Sequence, residues 1–438
     1  MPFYSVPFKF APSMGYYFVK ILMWFYKRTY FRKVRITGLE NIPVNQPVFF
    51  ASNHPNGFLD GSILSSLINP PTYILVRGDV FRPSWSNAVL RTLKLIPIFR
   101  VIDGNARESV SENNKSYDQL YEMFQRNKRV MIFPQADSYP ERKLKTLKKG
   151  MARIVFDMLN RPNSQRVAVV PMGINYSSFS RLQGDLDICF GQPLYLDSYL
   201  EKEASPAIAM NKLTLDTHQA IQQNMILGER EDDELLILLM AIYREVNEHQ
   251  YPLFTNSKST GFAHKRNCTE RLRNGSDEDR SLLVEVLDIL KYNDLSAKAL
   301  RKLTVVDGLF MMIFALPAWL SWKYFSLAHF VGIWIVRTQV RKIELQDSIA
   351  FGVGMMATWL LHLMGLLLFG FYFGWMGVAA FFGFRVCALA HHRVKDIWKT
   401  LWAKRKWNKH VEGSKDGLIL QTKMDQILDR FEVVNSNL

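Results

Sequence analysis

The chain reads as an α/β domain, a mixed sheet flanked by helices, followed by a helical transmembrane region. Two observations predict this. From residue 33 to about 200, short apolar strands alternate with helical stretches, the pattern of a largely buried sheet covered by helices. Beyond residue 304 come apolar segments without the polar-face periodicity of a soluble helix.

The first element is Met14–Tyr26, apolar apart from Lys20. It falls short of the ~20 residues a bilayer crossing takes. Its basic residues, Lys27, Arg28, Arg32 and Lys33, follow the apolar stretch, whereas a signal peptide carries them in front. We expect residues 1–32 to supply an interfacial helix with aromatic and basic anchors. A helix packed on the globular domain is the alternative. Strands are expected at 47–51, 73–76, 95–100, 130–133, 167–172 and 186–190. Helices are expected at 63–68, 110–124 and 149–159, then at 209–226 and 232–248, where Asp232 and Asp233 favour a helix start. Residues 255–280, with Asn256, Ser257, Ser259, Gly261, Asn274 and Gly275, read as a polar loop, and a helix follows at 281–292.

In the C-terminal region, Gly308–Trp322 and Tyr324–Val336 are apolar stretches separated by Lys323. Ser348–Phe384 is almost wholly apolar and exceeds one crossing of about 20 residues. Gly370, Gly374 and Gly377 offer places for a turn. Basic flanks lie before, between and after the two segments, and such flanks stay cytoplasmic. All three do so if each segment enters and returns. The expectation is two helical hairpins over 304–390, with Lys323 near the first turn, and a basic cytoplasmic tail over 391–438. Re-entrant hairpins and a buried soluble helical domain are the alternatives. The remaining boundaries are 33–228 for the α/β domain and 229–303 for a helical connector.

Composition narrows the function. At 438 residues, 48% of them apolar, the chain is not disordered. A net charge of +15 fits nucleic acid, an anionic membrane or phosphorylated substrates. No zinc-ligand spacing or aromatic RNA-binding signature is present, so nucleic acid is not an expected partner. The basic residues flank apolar segments, and the expected partner is an anionic membrane. Cys189, Cys268 and Cys387 are scattered and odd in number, which fits buried reduced thiols and a cytoplasmic setting.

The chemistry centres on Ser52-Asn53-His54-Pro55-Asn56-Gly57-Phe58-Leu59-Asp60-Gly61. It lies where a buried strand hands over to a helix, a place that holds catalytic groups between rigid elements. A His oriented by a carboxylate on one ring nitrogen can take a proton at the other. A polar loop with an ordinary capping Asp is the plain alternative. Three later segments bear on the choice: Leu95-Ile96-Pro97-Ile98-Phe99-Arg100, Val130-Met131-Ile132-Phe133-Pro134-Gln135-Ala136-Asp137-Ser138, and Val167–Ile174.

In order and spacing these four blocks resemble those of the glycerolipid acyltransferase family, over about residues 33–228. The lead-in Val34–Pro43 and the run Leu147-Lys148-Lys149-Gly150-Met151-Ala152-Arg153 are similar to it as well. Two departures stand out. Five residues separate His54 from Asp60, where the usual block has four, and Gln135-Ala136 replaces the usual Glu-Gly. The resemblance implies an acyltransferase fold and a role in phospholipid biosynthesis. A fatty acyl group would move from acyl-CoA or acyl carrier protein to a hydroxyl of glycerol-3-phosphate, 1-acylglycerol-3-phosphate or a related lysolipid.

His54 would be the general base and Asp60 its orienting partner. Arg100 matches the position that holds the acceptor phosphate, which suits a guanidinium. A surface ion pair is its alternative. Gln135 and Ser138 would line the acceptor pocket, and Lys148 and Lys149 would add positive potential or serve as solvated charges. No metal and no organic cofactor are expected, because base catalysis on a thioester needs none. An inactive relative acting as a lipid-binding scaffold is the rival reading, motivated by Gln135-Ala136. A transporter has less support, since no paired intramembrane charges mark a pathway.

Overall fold

The computed structural model describes residues 14–68, 71–81, 90–99, 106–162, 166–179, 184–203, 205–229, 232–247, 261–340, 343–413, 415–431 and 433. Its α/β part contains β1 (Lys33–Thr37), β2 (Val48–Ser52), β3 (Thr72–Arg77), β4 (Leu95–Ile98), β5 (Arg129–Ile132), β6 (Ala168–Tyr176), β7 (Asp185–Phe190) and β8 (Leu194–Tyr195). The order is β1-β7-β6-β2-β5-β3-β4, with β8 paired to β6. All pairs are parallel except β6 with β7 and β6 with β8, so the sheet is mixed, as expected. β2 is the middle strand, parallel to both neighbours. Its carboxyl end is where ligand sites arise in open α/β sheets.

Period-2 alternation divides β2 between two cores. Phe49 and Ala51 face one side with Leu120 and Phe124 of α3 (Ala106–Gln125), Val155 of α4 (Gly150–Leu159) and Leu213 of α6 (Pro206–Gln223). Between β8 and α6 lies the short α5 (Asp197–Lys202). Val48 and Phe50 face the other side with α1 (Met14–Tyr30) and α2 (Gly57–Leu67).

α1 packs on the α/β domain along one face and leaves an apolar face exposed. Tyr16, Met23, Tyr26 and Tyr30 are buried, while Met14, Tyr17, Phe18 and Ile21, spaced along one face, are exposed.

A third core joins segments that the sequence set apart. It contains α7 (Asp233–Asn247), α8 (Gly261–Asn274), α9 (Asp277–Tyr292) and α12 (Lys415–Arg430), with Ala403 and Trp407. Two expectations are corrected here. Residues 261–274 form a helix, not a loop. Phe262, Lys265, Thr269 and Leu272 recur at helical spacing and are buried, which outweighs the polar composition. The 391–438 segment is not a free tail. Leu420, Met424 and Ile427 of α12 are fully buried against the connector helices.

α10 (Val305–Gln339) is continuous, so the turn expected at Lys323 is absent. Lysine is a good helix former. Its ammonium lies 5.6 Å and 5.8 Å from the Trp319 and Trp322 ring centroids, which accommodates the charge without a turn. α11 (Ile343–Gly413) does fold back, at Gly374, where φ is 60° and ψ is −147°. A side chain at Gly377 would overlap the Phe369 carbonyl, so the two arms meet closely. α10 and α11 are both long and apolar enough to cross a membrane.

Gly173 of β6 lies against the Asn224 carbonyl at the end of α6, with no room for a methyl group. Gly173→Ala is expected to lose about 1–3 kcal/mol of stability, as overpacking does. Gly150→Ala, in open space, serves as the control. Equal denaturation midpoints for the two variants would contradict this packing.

Candidate active site

β2 delivers Asn53 and His54 to the centre of the sheet's carboxyl edge. Asn53 is buried, and its side chain bridges to β6: Nδ2 donates to the Ile174 carbonyl at 2.9 Å, and the Ile174 N–H donates to Oδ1 at 2.7 Å. This prolongs the sheet by one side-chain rung and fixes where His54 leaves it. The His54 N–H then donates to Gln135 Oε1 at 3.0 Å, and the Tyr139 N–H donates to the His54 carbonyl at 2.9 Å.

The His54 and Phe133 rings stack with centroids 3.9 Å apart and planes 12° from parallel. His54 Nδ1 lies 2.9 Å from Asp60 Oδ2. A carboxylate only accepts, so the proton sits on Nδ1, and Nε2 keeps its lone pair. The side chain is 16% exposed and lines the main cavity.

Asp60 is fully enclosed. The Asn56 N–H donates to its Oδ2 at 2.8 Å, and the Tyr176 hydroxyl donates to its Oδ1 at 2.6 Å. The fifth intervening residue is absorbed at the start of α2, where Gly57 takes φ 43°, a left-handed value that suits glycine. Tyr176 was not among the residues anticipated. Its signal lay in the period-2 series Val170, Met172, Ile174 and Tyr176, all in the core on the α2 side.

The other anticipated residues separate. Gln135 is buried and holds the His54 backbone, and it is not in the cavity wall. The expectation that it lines the acceptor pocket is corrected: its acceptor oxygen is committed to the His54 N–H. Ser138 and Lys148 do line the cavity, and the Lys148 N–H is anchored on the Pro134 carbonyl at 2.8 Å. Lys149 is the exposed residue before α4 and is not in the wall. Arg100 lies outside the described residues. The strand leading to it is pinned to α3: the Phe99 N–H donates to Asn113 Oδ1 at 2.8 Å, and Asn113 Nδ2 donates to the Phe99 carbonyl at 2.7 Å.

The cavity has a volume of about 1480 Å³ and two kinds of lining. Ile74, Val76, Leu95, Ile98, Ile132 and Phe133 make an apolar part. Arg77, Arg142, Lys143, Lys145 and Lys148, interleaved with Asp137, Glu141, Glu229, Asp233 and Glu234, make a charged part. Arg142 is buried and also structural. It donates to the Tyr176 and Ser177 carbonyls at 2.8 Å and 2.9 Å and pairs Asp233 at 2.7 Å. Burial lowers its pKa, and Asp233 opposes that shift. Lys143 pairs Glu229 at 3.2 Å and Lys145 pairs Glu141 at 2.8 Å, so these two lysines are partly neutralised by exposed ion pairs.

Ala136 takes φ 72°, the left-handed region where a Cβ is crowded. The fold therefore imposes here a conformation that glycine reaches freely. Ala136→Gly is expected to raise stability by about 1 kcal/mol, read as a higher denaturation midpoint with the site geometry kept. A lower midpoint would show that the strain is absent.

Comparison with known proteins bears on the same segment. A family model described as Acyltransferase matches residues 33–175, about a third of the chain. The 1-acyl-sn-glycerophosphate (LPA) acyltransferase PlsC from Thermotoga maritima is a similar solved structure, at 15% identity and a TM-score of 0.34, over 47% of this chain and 78% of that one. No curated protein sequence matches. The family match thus falls on the segment that carries His54, Asp60 and Gln135.

Proposed function

We propose that this protein is a membrane-bound O-acyltransferase of phospholipid biosynthesis. It moves a fatty acyl group from acyl-CoA or acyl carrier protein to a hydroxyl of glycerol-3-phosphate, 1-acylglycerol-3-phosphate or a related lysolipid. The observation that carries the reading is the oriented His54–Asp60 pair in a cavity with apolar and charged parts. His54 Nε2 takes the hydroxyl proton as the acceptor oxygen attacks the thioester carbonyl. Asp60 stabilises the imidazolium. The tetrahedral intermediate expels the thiolate, which takes the proton back from His54, leaving an ester and a thiol. The apolar lining suits the acyl chain, and the lysines and arginines of the mixed-charge lining suit phosphate. The scaffold reading loses its motive, since Gln135 needs only an acceptor oxygen for its contact with His54.

The same parts support a membrane placement. The start of α11 packs on α1 through Phe351, whose ring centroid lies 4.9 Å from that of Tyr26 and 5.2 Å from that of Tyr30. Its far end returns to Lys298 and Arg301 through Asp396. The hairpin thus enters the bilayer from the catalytic side, which we take as cytoplasmic because soluble acyl donors and reduced thiols belong there. The exposed face of α1 would lie in the headgroup region of an anionic leaflet.

His54→Ala is expected to abolish acyl transfer without loss of folding. Tyr176→Phe is expected to lower kcat about tenfold at unchanged KM, from the loss of one bond to a charged acceptor. Steady-state kinetics with a labelled acyl thioester read both, and near-normal turnover of His54→Ala would remove the mechanism.

In a cysteine-free background, single cysteines at Gln346 and Asn408 are expected to label from the same side as the α/β domain. Labelling of Gln346 from the opposite side would rule out the placement of the hairpin.

A further inference from the structure

A second cleft, about 470 Å³ in volume, shares no lining residue with the catalytic cavity. One wall is Asn175–Ser178 and the start of β7, a second is α7, and the third is Trp322 of α10 with the returning arm of α11. Its lining holds Arg32, Arg244, Lys265, Lys298, Lys395 and Lys399 against only Asp185, Asp187 and Asp396.

The carboxylates are already occupied. Asp185 pairs Arg32, and Arg35 reaches Asp185 and Asp187 at 3.1 Å each. Lys265 lies 3.5 Å from Asp187. Burial would raise the Asp185 carboxyl, but Arg32 and Arg35 hold it well below the usual carboxylate range. Asp396 is shared by Lys298 and Arg301, and Arg244 pairs Glu245. Lys395 and Lys399 remain. They lie one turn apart on α11, both are exposed, and neither has a carboxylate partner among the described residues.

Their helix face points to the ligand. Residues 395, 398, 399 and 402 share one face, placing Trp398 and Trp402, 60% and 53% exposed, beside the two lysines. Alternating Lys and Trp at the end of a long apolar helix is the composition of a headgroup layer. The Lys395 ammonium also lies 5.6 Å from the Trp322 ring centroid at the cleft.

We propose that this cleft is a binding site for a phosphate group, taken from an anionic phospholipid headgroup or from free phosphate, with Lys395 and Lys399 as its ligands. The site rests on the reading of α10 and α11 as membrane helices but not on acyl transfer.

The test uses the full-length protein in phosphatidylcholine nanodiscs. One arm dopes them with phosphatidylglycerol and counts retained lipid by native mass spectrometry. The other titrates inorganic phosphate into undoped discs by calorimetry. Lys395→Gln/Lys399→Gln is expected to bind about thirtyfold more weakly than the native chain in whichever arm shows binding. Lys404→Gln/Lys409→Gln, the same charge loss on the same helix outside the cleft, is expected to bind as the native chain does. Binding of phosphatidylglycerol identifies a lipid source, and binding of inorganic phosphate alone identifies a free anion. Circular dichroism of each variant confirms an unchanged helical content. Equal binding by the native chain and the cleft variant, equal loss in both variants, or no binding of either probe would overturn the site. Since binding and not turnover is read, such a failure leaves the catalytic reading standing.

Discussion

The buried carboxylate of Asp60 is the constraint on which the site is built. An enclosed carboxylate is costly unless its oxygens are met by donors. Here the donors come from three places: the imidazole after β2, the backbone before α2, and the hydroxyl at the end of β6. Satisfying one charge therefore fixes α2 against the sheet and sets the tautomer of His54. The same bonds hold the imidazole in one orientation, with its second nitrogen toward the cavity.

That constraint extends outward through packing. α2 lies between the sheet and the pair formed by α1 and the start of α11, in one core that includes Leu59, Ile63, Tyr26 and Phe351. The helix that carries Asp60 is thus clamped by a helix long and apolar enough to cross a membrane. The geometry of the His54–Asp60 pair and the placement of this long apolar helix thus share one core. The Tyr176–Ser177 segment links them at a second point, since Arg142 of the catalytic cavity holds its carbonyls while its other side borders the basic cleft.

The Gln135-Ala136 substitution becomes intelligible at the level of atoms. The side chain at 135 is needed as an acceptor for a backbone N–H, which an amide oxygen supplies as well as a carboxylate. The residue at 136 must turn the backbone with positive φ, and Ala136 does so under strain where glycine would not be strained. The loop keeps its course and the change is confined to charge and local stability.

Much of this was legible in the sequence because it depends on neighbours along the chain. The apolar runs of β2, β3, β5, β6 and β7, the strand-to-helix handover at His54, the start of α7 near Asp233 and a turn among Gly370, Gly374 and Gly377 all follow from short-range pattern and backbone preference. The pairing of His54 with Asp60 belongs here too, since both lie within one loop and one helical turn.

What only the tertiary structure decided involves partners distant in sequence. Tyr176 reaches Asp60 because β6 lies beside β2, and no local signal gives strand order. Residues 261–274 become helical because the buried face of α8 meets α7, which offsets a composition that favours a loop. α12 joins the same core from the far end of the chain. α10 continues through Lys323, whose ammonium lies over tryptophan faces. Local sequence limits each segment to a few conformations, and burial against a remote partner selects among them, because only burial supplies free energy large enough to override local preference.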